Sequence, residues 1–260
     1  MVTKADFSSI IKSFGTAGIV FSNEQDFQFT LGSRIRSWPG VKNVFFEALS
    51  LPISFSVIES NVKKLGKKYK LSRDRKQYHD LLIEQDDGTY VVIELKYKTP
   101  QKICIYKTKT NEFMTLAQGD YHIAAYDFLN DVYRLENVKS RFFKNDAQLK
   151  ISKCYCIFLT NDKNYRFNDF SGSSVWANYT LCAGKITPAK TPLLFFSKAA
   201  TPSSTYSITS KLFTAITLKN AYNHDWEDYP LSDATGRLYN DYADKLGSLH
   251  PGFSFLIFEI

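Results

Sequence analysis

The sequence predicts an α/β fold in which helices cover a mixed β-sheet, and three observations support this. Residues 78–99, YHDLLIEQDDGTYVVIELKYKT, place two apolar runs around an Asp-Asp-Gly turn, a pattern typical of a β-hairpin. Residues 116–140 carry a helical apolar stripe, and ISKCYCIFLTND after them has a strand pattern. A strand, a long helix and a strand make a βαβ unit, so the last strand is expected to lie parallel to one arm of the hairpin.

The elements around the hairpin follow from capping and periodicity. Residues 22–38 are predicted to form a helix, with Ser22 as its N-cap and Gln25 completing a capping box. A strand is predicted for residues 44–51. Pro52 interrupts it, and after the proline apolar residues again alternate with polar ones. The buried stripes are expected to be Phe27, Leu31 and Ile35 in this helix, and Ala125, Phe128, Leu129, Val132, Leu135 and Val138 in the long one.

The last third of the chain is harder to assign. TPLLFFSK and FSFLIFEI have strand patterns, and residues 205–220 are ambiguous. We expect one domain over residues 1–260 with a core at about 22–160. Residues 161–260 either complete that domain or form a small α+β subdomain, and the sequence leaves both arrangements open.

Composition indicates an ordered protein without a membrane segment. Of 260 residues, 44% are hydrophobic, and 12 Gly with 8 Pro are too few for a low-complexity chain. The N-terminal MVTKADFSSIIKSFG lacks the apolar core of a signal peptide, and no window approaches the roughly 18 apolar residues of a membrane span. Four cysteines without CxxC spacing suit a reduced, cytoplasmic protein.

Positive charge is concentrated before the hairpin and predicts a polyanionic partner. The formal net charge is +7, and residues 61–78 hold eight cations against Asp74. The predicted phosphate-binding residues are Lys63, Lys64, Lys67, Lys68, Lys70, Arg73, Arg75 and Lys76, with Lys98 after the hairpin. A solvated basic loop is the alternative interpretation of this run.

Charged residues inside the apolar hairpin form the candidate site. Glu94 and Lys96 are two apart in a strand, so both side chains lie on one face. A two-residue turn would place Asp80 opposite Leu95. A three-residue loop with Gly88 left-handed would instead pair residues 85 and 89 and place Asp80 opposite Glu94. Gly at the third loop position favours the second register.

Two facing carboxylates and one lysine fit a divalent cation. The carboxylates repel each other, and Mg²⁺ commonly uses one or two carboxylates plus phosphate oxygens of a substrate. The expected cofactor is Mg²⁺, with Mn²⁺ as a substitute, and the lysine would orient the attacking water or stabilise transition-state charge. Neither a P-loop nor a Gly-x-Ser-x-Gly elbow occurs. No organic cofactor is expected.

Asp80 is followed by thirteen residues and then by Glu94-Leu95-Lys96 at the end of an apolar strand. This pattern resembles the PD-(D/E)xK nuclease superfamily. This resemblance covers about residues 22–160 and implies a restriction-endonuclease-like core, a mixed sheet flanked by helices. It also implies that Asp80 and Glu94 are metal ligands and that Lys96 is the catalytic lysine. The family often has Pro before the aspartate, where this chain has His79.

Further acids are candidates for the same site. Glu24 lies on the apolar face of the first predicted helix, where similar nucleases place a metal-binding acid, and a role at the helix dipole is its alternative. Glu47 shares a strand face with apolar residues and is a second candidate, ahead of Glu59. Gln118 is expected to cap the long helix. Four charged residues of that helix are interpreted as a solvated face: Asp127, Asp131, Arg134 and Glu136.

The expected function is a Mg²⁺-dependent nuclease that cuts DNA, in a restriction or other defence role. Cutting both strands would require a homodimer, since one site cuts one strand. The alternatives are a DNA repair or recombination nuclease, a catalytically silent nucleic-acid-binding protein of the same fold, and a protein-interaction domain with decorative surface charges.

Overall fold

The computed structural model of the chain describes residues 2–50, 77–99, 104–107, 112–115, 121–138, 143–144, 147–169, 177–193, 215–231 and 252–260. The helices in these residues are α1 (Lys4–Thr16), α2 (Glu24–Arg36), α3 (Tyr121–Glu136) and α4 (Lys163–Phe167), with a 3-10 turn at Ala177–Tyr179. None of the helices in these ranges is long and apolar enough to cross a membrane.

Six strands make one mixed sheet. In their order across the sheet they are β1 (Val41–Ser50), β2 (Gln77–Gln85), β3 (Tyr90–Lys98), β8 (Ile151–Thr160), β14 (Phe253–Glu259) and β13 (Glu227–Tyr229). The pairing of β3 with β8 is parallel, and each other neighbouring pair is antiparallel. The expected mixed sheet, with the strand after the long helix parallel to one arm of the hairpin, is therefore confirmed, and that arm is β3.

Short strands pair outside the main sheet. These pairs are β4 (Cys104–Lys107) with β5 (Glu112–Thr115), β6 (Phe143–Lys144) with β7 (Ala147–Gln148), β9 (Ile186–Thr187) with β12 (Tyr222–Asn223), and β10 (Pro192–Leu193) with β11 (Ile216–Thr217). FSFLIFEI is a central strand of the main sheet, as β14 lies between β8 and β13. The C-terminal residues thus contribute two strands to the sheet that holds the hairpin.

The hairpin adopts the register expected from a three-residue loop. The N–H of Gln85 donates to the carbonyl of Thr89 at 2.8 Å, and Gly88 has a left-handed φ of 76°. Leu81 then lies opposite Ile93 as the last pair of the ladder, so Asp80 and Glu94 are the next residues of the two strands beyond its end. The two-residue turn, with Asp80 opposite Leu95, does not form.

Each face of the sheet has its own apolar core. On the α1/α2 face, Phe7, Ile11 and Phe27 pack on Ile93 and Leu95. On the opposite face, called the α3 face below, the stripe of α3 packs on the other side of the same strands. All the residues expected in the two helical stripes are buried. Strand positions 94 and 96 belong to the α3 face, because side chains alternate along a strand.

The start of α2 differs from the expectation by one residue. Its N-cap is Asn23, whose side chain accepts the N–H of Asp26 at 2.8 Å, so Ser22 as the cap is wrong. The Asp26 carboxylate reaches back to the N–H of Ser22 at 2.9 Å. Asp26 therefore takes the part expected of Gln25, and the capping pair is shifted by one position.

Candidate active site

The site forms where β2 leaves β3. The ladder between them runs from Glu84 opposite Tyr90 to Leu81 opposite Ile93, while β3 continues beside β8. In a longer ladder, the next N–H groups of β3 would bond to carbonyl groups of β2. Here the N–H of Leu95 donates to Asp80 Oδ2 at 2.5 Å, and the N–H of Tyr97 donates to Glu24 Oε2 at 2.9 Å. Two carboxylates therefore occupy the gap in the sheet.

Asp80 and Glu94 meet at this gap, close enough for each carboxyl group to shift the pKa of the other. Burial and the neighbouring Glu94 raise the pKa of Asp80 to about 8, against the lowering effect of the Leu95 N–H. Burial and the charge of Asp131 raise the pKa of Glu94 well above its usual range. The pair therefore holds a proton at neutral pH, and the site carries more carboxyl groups than its cations neutralise.

Glu94 is held in place by two further side chains. Its Oε1 lies 2.5 Å from His79 Nδ1 and 3.0 Å from Arg134 Nη2. Arg134 also donates to the carbonyl of Tyr78 at 3.0 Å, which ties α3 to the start of β2. His79 and Glu94 are both buried, at 0% and 4% exposure. Because buried carboxylates need such partners, the geometry of Glu94 depends on residues from two other elements.

Lys96 lies on the same face as Glu94 and is a charged ammonium group. Its Nζ is 3.5 Å from Asp131 Oδ2. Burial lowers the pKa of Lys96, but the acids around it, led by Asp131 and Glu24, raise it above its ordinary value. Asp131 in turn accepts from Arg134 Nη1 at 2.6 Å. One acid of α3 thus holds both cations of the site.

Glu24 and Glu47 have different relations to the site. Glu24, in the first turn of α2, reaches β3 directly through Tyr97. Glu47 is an exposed residue of β1 with a left-handed φ of 50°, an uncommon conformation for a residue with a side chain. Its Oε1 accepts from Gln28 Nε2 at 3.0 Å, and the same amide donates to the carbonyl of Asp80 at 2.8 Å. Glu47 is therefore connected to the site through Gln28.

The interpretation of the charged residues of α3 as a solvated face is wrong for Asp131 and Arg134. Asp131 is 7% exposed, and Arg134 contacts Glu94. Asp131 lies three residues after Phe128 and four before Leu135, which is helical spacing within the buried stripe. Glu136 is also engaged, since it accepts the N–H groups of Lys219 and Asn220.

Two more residues of the site were not anticipated from the sequence. Gln28 follows Glu24 by four residues on α2, so it shares the inward face of that helix. The other residue is His79, which the sequence shows only in the place where the family often has Pro. The spacing from Glu24 was a usable signal for Gln28, whereas the contact of His79 with Glu94 depends on how β2 bends away from β3.

Several predicted residues lie outside the described part of the chain. These are Glu59, Gln118, and the basic residues Lys63, Lys64, Lys67, Lys68, Lys70, Arg73, Arg75 and Lys76. Lys98 is described: it ends β3, opposite Thr160 of β8, two residues beyond Lys96. Trp226 and Tyr229, two aromatic residues that could otherwise stack on bases, are buried in the core.

The site fits an oxygen-ligated divalent cation of the Mg²⁺ type. Within the described ranges, no three His, Cys, Asp or Glu side chains are already grouped to hold a metal ion. Mg²⁺ needs fewer protein ligands, because it keeps several waters and uses one or two carboxylates. The donors here are carboxyl oxygens, and the pKa of Asp80 is raised first by burial and then by the charge of Glu94, which a cation would neutralise.

Comparisons with known proteins give no relative of this chain. Neither a protein-family model, nor a curated protein, nor a solved structure matches it. The function is therefore argued from the residues of the site and from their geometry.

Proposed function

We propose that this chain is a metal-dependent nuclease that hydrolyses phosphodiester bonds of DNA, built on a restriction-endonuclease-like fold. The observation that carries the proposal is the meeting of Asp80, Glu94 and Lys96 where β2 leaves β3, with Glu24 beside them. The mixed sheet, in which β3 pairs antiparallel with β2 and parallel with β8, supports the fold assignment. The sequence resemblance to the PD-(D/E)xK superfamily concerns these same residues.

Asp80 and Glu94 would hold Mg²⁺, or Mn²⁺ in its place. When bound, the ion polarises the scissile phosphate and lowers the pKa of a coordinated water. Glu24 is the better placed of the two assisting acids, because its carboxylate already lies on β3 beside the pair. Glu47 would assist through Gln28, which joins it to the backbone of Asp80.

Lys96 acts as a cation in this proposal. A lysine whose pKa lies above its ordinary value keeps its proton at neutral pH, so it is unsuited to remove a proton from water. Its N–H groups can instead orient the attacking water and stabilise negative charge that develops on the phosphate. Asp131 keeps the ammonium group close to the carboxylate pair.

His79 and Arg134 are positioning residues. Both contact Oε1 of Glu94, which fixes the orientation of that carboxyl group. Arg134 also joins Glu94 to Asp131, the partner of Lys96. The helix that crosses from β3 to β8 therefore links the acid and the lysine of the motif.

DNA is the proposed partner, and a restriction or other defence role is the proposed biology. The basic run at 63–76, with Lys98, would contact phosphates and make the affinity depend strongly on salt. A homodimer would allow two sites to cut the two strands. Reduced cysteines fit a cytoplasmic location: Cys154 and Cys156 are buried free thiols.

The test is cleavage of plasmid DNA with Mg²⁺, Mn²⁺ or no metal. The parent protein should cut with metal, and Asp80→Ala and Lys96→Ala should each lose activity by about 100-fold or more, as expected for removal of a charge-stabilising group. Asp86→Ala, at the exposed turn of the same hairpin, and Lys150→Ala, at an exposed lysine, are the matched controls. Both should retain parental activity.

The same experiment separates the alternatives. A catalytically silent DNA-binding protein would bind the plasmid in a salt-sensitive manner without cutting it under any divalent metal. A protein-interaction domain would show no salt-sensitive binding. Activity that is undiminished in both Asp80→Ala and Lys96→Ala would refute the assignment of the site, whichever nucleic acid is cut.

A further inference from the structure

A row of polar residues crosses the α3 face of the sheet from the candidate active site. The row has one residue on each of four neighbouring strands. Lys98 of β3 pairs with Thr160 of β8, Thr160 pairs with Ser254 of β14, and Ser254 pairs with Asp228 of β13. The row begins two residues after Lys96, so Lys98 shares its face. The row ends on β13, which is one edge strand of the sheet, while β1 is the other.

A pocket of about 340 Å³ opens at the far end of this row. Its lining residues include Thr160, Ser254, Arg166, Phe167 and Phe253. The volume is at the lower end of the range of about 300–1,000 Å³ that is typical of small-molecule sites. Aromatic walls with a few polar groups are the usual composition of such sites.

The charges of the pocket balance. Its lining residues include two cations, Lys163 and Arg166, and two acids, Asp162 and Asp228. Arg166 Nη1 is paired with Asp228 and donates to Ser254 Oγ at 3.0 Å. Two acids beside two cations disfavour a phosphate group, which needs surplus positive charge. A neutral, planar ligand with hydrogen-bond donors and acceptors fits better.

Arg166 and Phe167 present groups that such a ligand could use. Phe167 is 64% exposed, the largest exposure among the big hydrophobic side chains of the described residues. The Arg166 guanidinium carbon is 5.1 Å from the centre of this ring. Arg166 Nε is buried without a hydrogen-bond partner in the described part of the chain. An aromatic platform thus adjoins a donor that lacks an acceptor.

We propose that this pocket binds a nucleobase of the DNA strand that lies at the active site. The inference rests on the proposed nuclease function and adds a site that reads the base a few nucleotides from the scissile phosphate. From strand geometry, the pocket is roughly 12 Å from Lys96. The base stacks on Phe167, and Arg166, Thr160 and Ser254 supply its hydrogen-bonding partners.

The test is binding of a fluorescent DNA duplex with a short single-stranded gap, measured by anisotropy in EDTA so that no hydrolysis occurs. Each gap position is replaced in turn by an abasic residue, which removes the base and keeps every phosphate. At one position, the abasic change should weaken binding by the parent about 5- to 150-fold, the usual contribution of one stacked base. Phe167→Ala should weaken binding of the intact DNA by a similar factor.

The two changes should not be additive, because they remove two sides of one contact. Phe167→Tyr keeps the ring and should behave as the parent. Ile186→Ala removes a side chain of similar exposure, 58%, outside the pocket and should leave binding unchanged. Phe167 is exposed, so its loss should leave the thermal midpoint of the protein near the parental value.

The outcomes separate this inference from the proposed function. If the parent binds the gapped DNA but Phe167→Ala binds it equally well, the pocket proposal is overturned and the nuclease proposal stands. The same holds if the abasic effect persists undiminished in Phe167→Ala. If the parent binds no DNA at all, the proposed function fails and the pocket proposal fails with it.

Discussion

Replacing Asp80 by Asn is expected to stabilise the metal-free protein above about pH 6 and to flatten its dependence on pH. The substitution removes a carboxyl group whose ionisation the fold opposes through burial and through the neighbouring Glu94. An Asn side chain keeps an oxygen that can accept the N–H of Leu95. The change therefore tests the charge of the site with little change in its packing.

The magnitude follows from the two pKa values of Asp80. The ordinary value is 3.8, and the value in the folded protein is about 8. At pH values between these two, Asp80 has lost its proton in the unfolded chain but keeps it in the folded chain. The free energy of unfolding therefore falls by about 1.4 kcal/mol for each pH unit of increase. This contribution to stability is complete below the unfolded value and is lost as the pH passes through the folded value. From pH 6 to pH 8 the loss is about 2–3 kcal/mol.

The assay is urea denaturation in EDTA at several pH values between about 6 and 8, followed by tryptophan fluorescence. The difference in unfolding free energy between Asp80→Asn and the parent should grow with pH by about the amount just derived. Asp86→Asn, in the exposed turn, should track the parent at every pH. A difference between Asp80→Asn and the parent that stays constant across this range would refute the argument that Asp80 ionises against the fold.

Three further predictions concern the same hairpin and its surroundings. Gly88→Ala should lower the free energy of unfolding, measured by urea denaturation, by about 1–2 kcal/mol, because Gly88 has a left-handed φ of 76°. Gly252→Ala, at a position without that constraint, should leave the free energy of unfolding unchanged. In scanning fluorimetry at pH 8, Mg²⁺ should raise the thermal midpoint of the parent, because the ion binds the folded state. It should leave the thermal midpoint of Asp80→Asn unchanged. Asp131→Asn should lower the rate of plasmid cleavage about 10-fold or more by freeing Lys96, with little change in DNA affinity.

The features that local sequence determines were predicted well. The register of the hairpin depends on Gly88, because a left-handed residue at the third loop position sets which residues pair. The stripe of α3 follows from helical spacing, and the burial of Phe128 and Leu135 confirms it. These features involve residues that are close together in the chain.

The parallel pair of β3 and β8 was predicted, but the place of β14 in the sheet and the contacts of α3 with the site were not. The insertion of β14 between β8 and β13 joins residues that are about 100 positions apart in the chain, and strand patterns do not specify partners. The contact of Arg134 with Glu94 spans 40 residues. Arg134 and Asp131 look like a surface ion pair at helical spacing, and only the packing of α3 over the end of β3 brings them to the site.

The balance of charge at the gap between β2 and β3 is the strongest argument that this hairpin has a function. Asp80, Glu94, Glu24 and Asp131 converge there, whereas Lys96 and Arg134 are the cations that contact them. A hairpin serving only stability would fill these positions with apolar side chains, because buried acids with raised pKa values destabilise the fold. Such an arrangement is expected where a protein must bind a cation or a reacting group. The same surplus of acids would also repel a phosphate at the gap itself, so the scissile phosphate should enter the gap only once a divalent cation has neutralised the acids, while contacts elsewhere hold the DNA in EDTA.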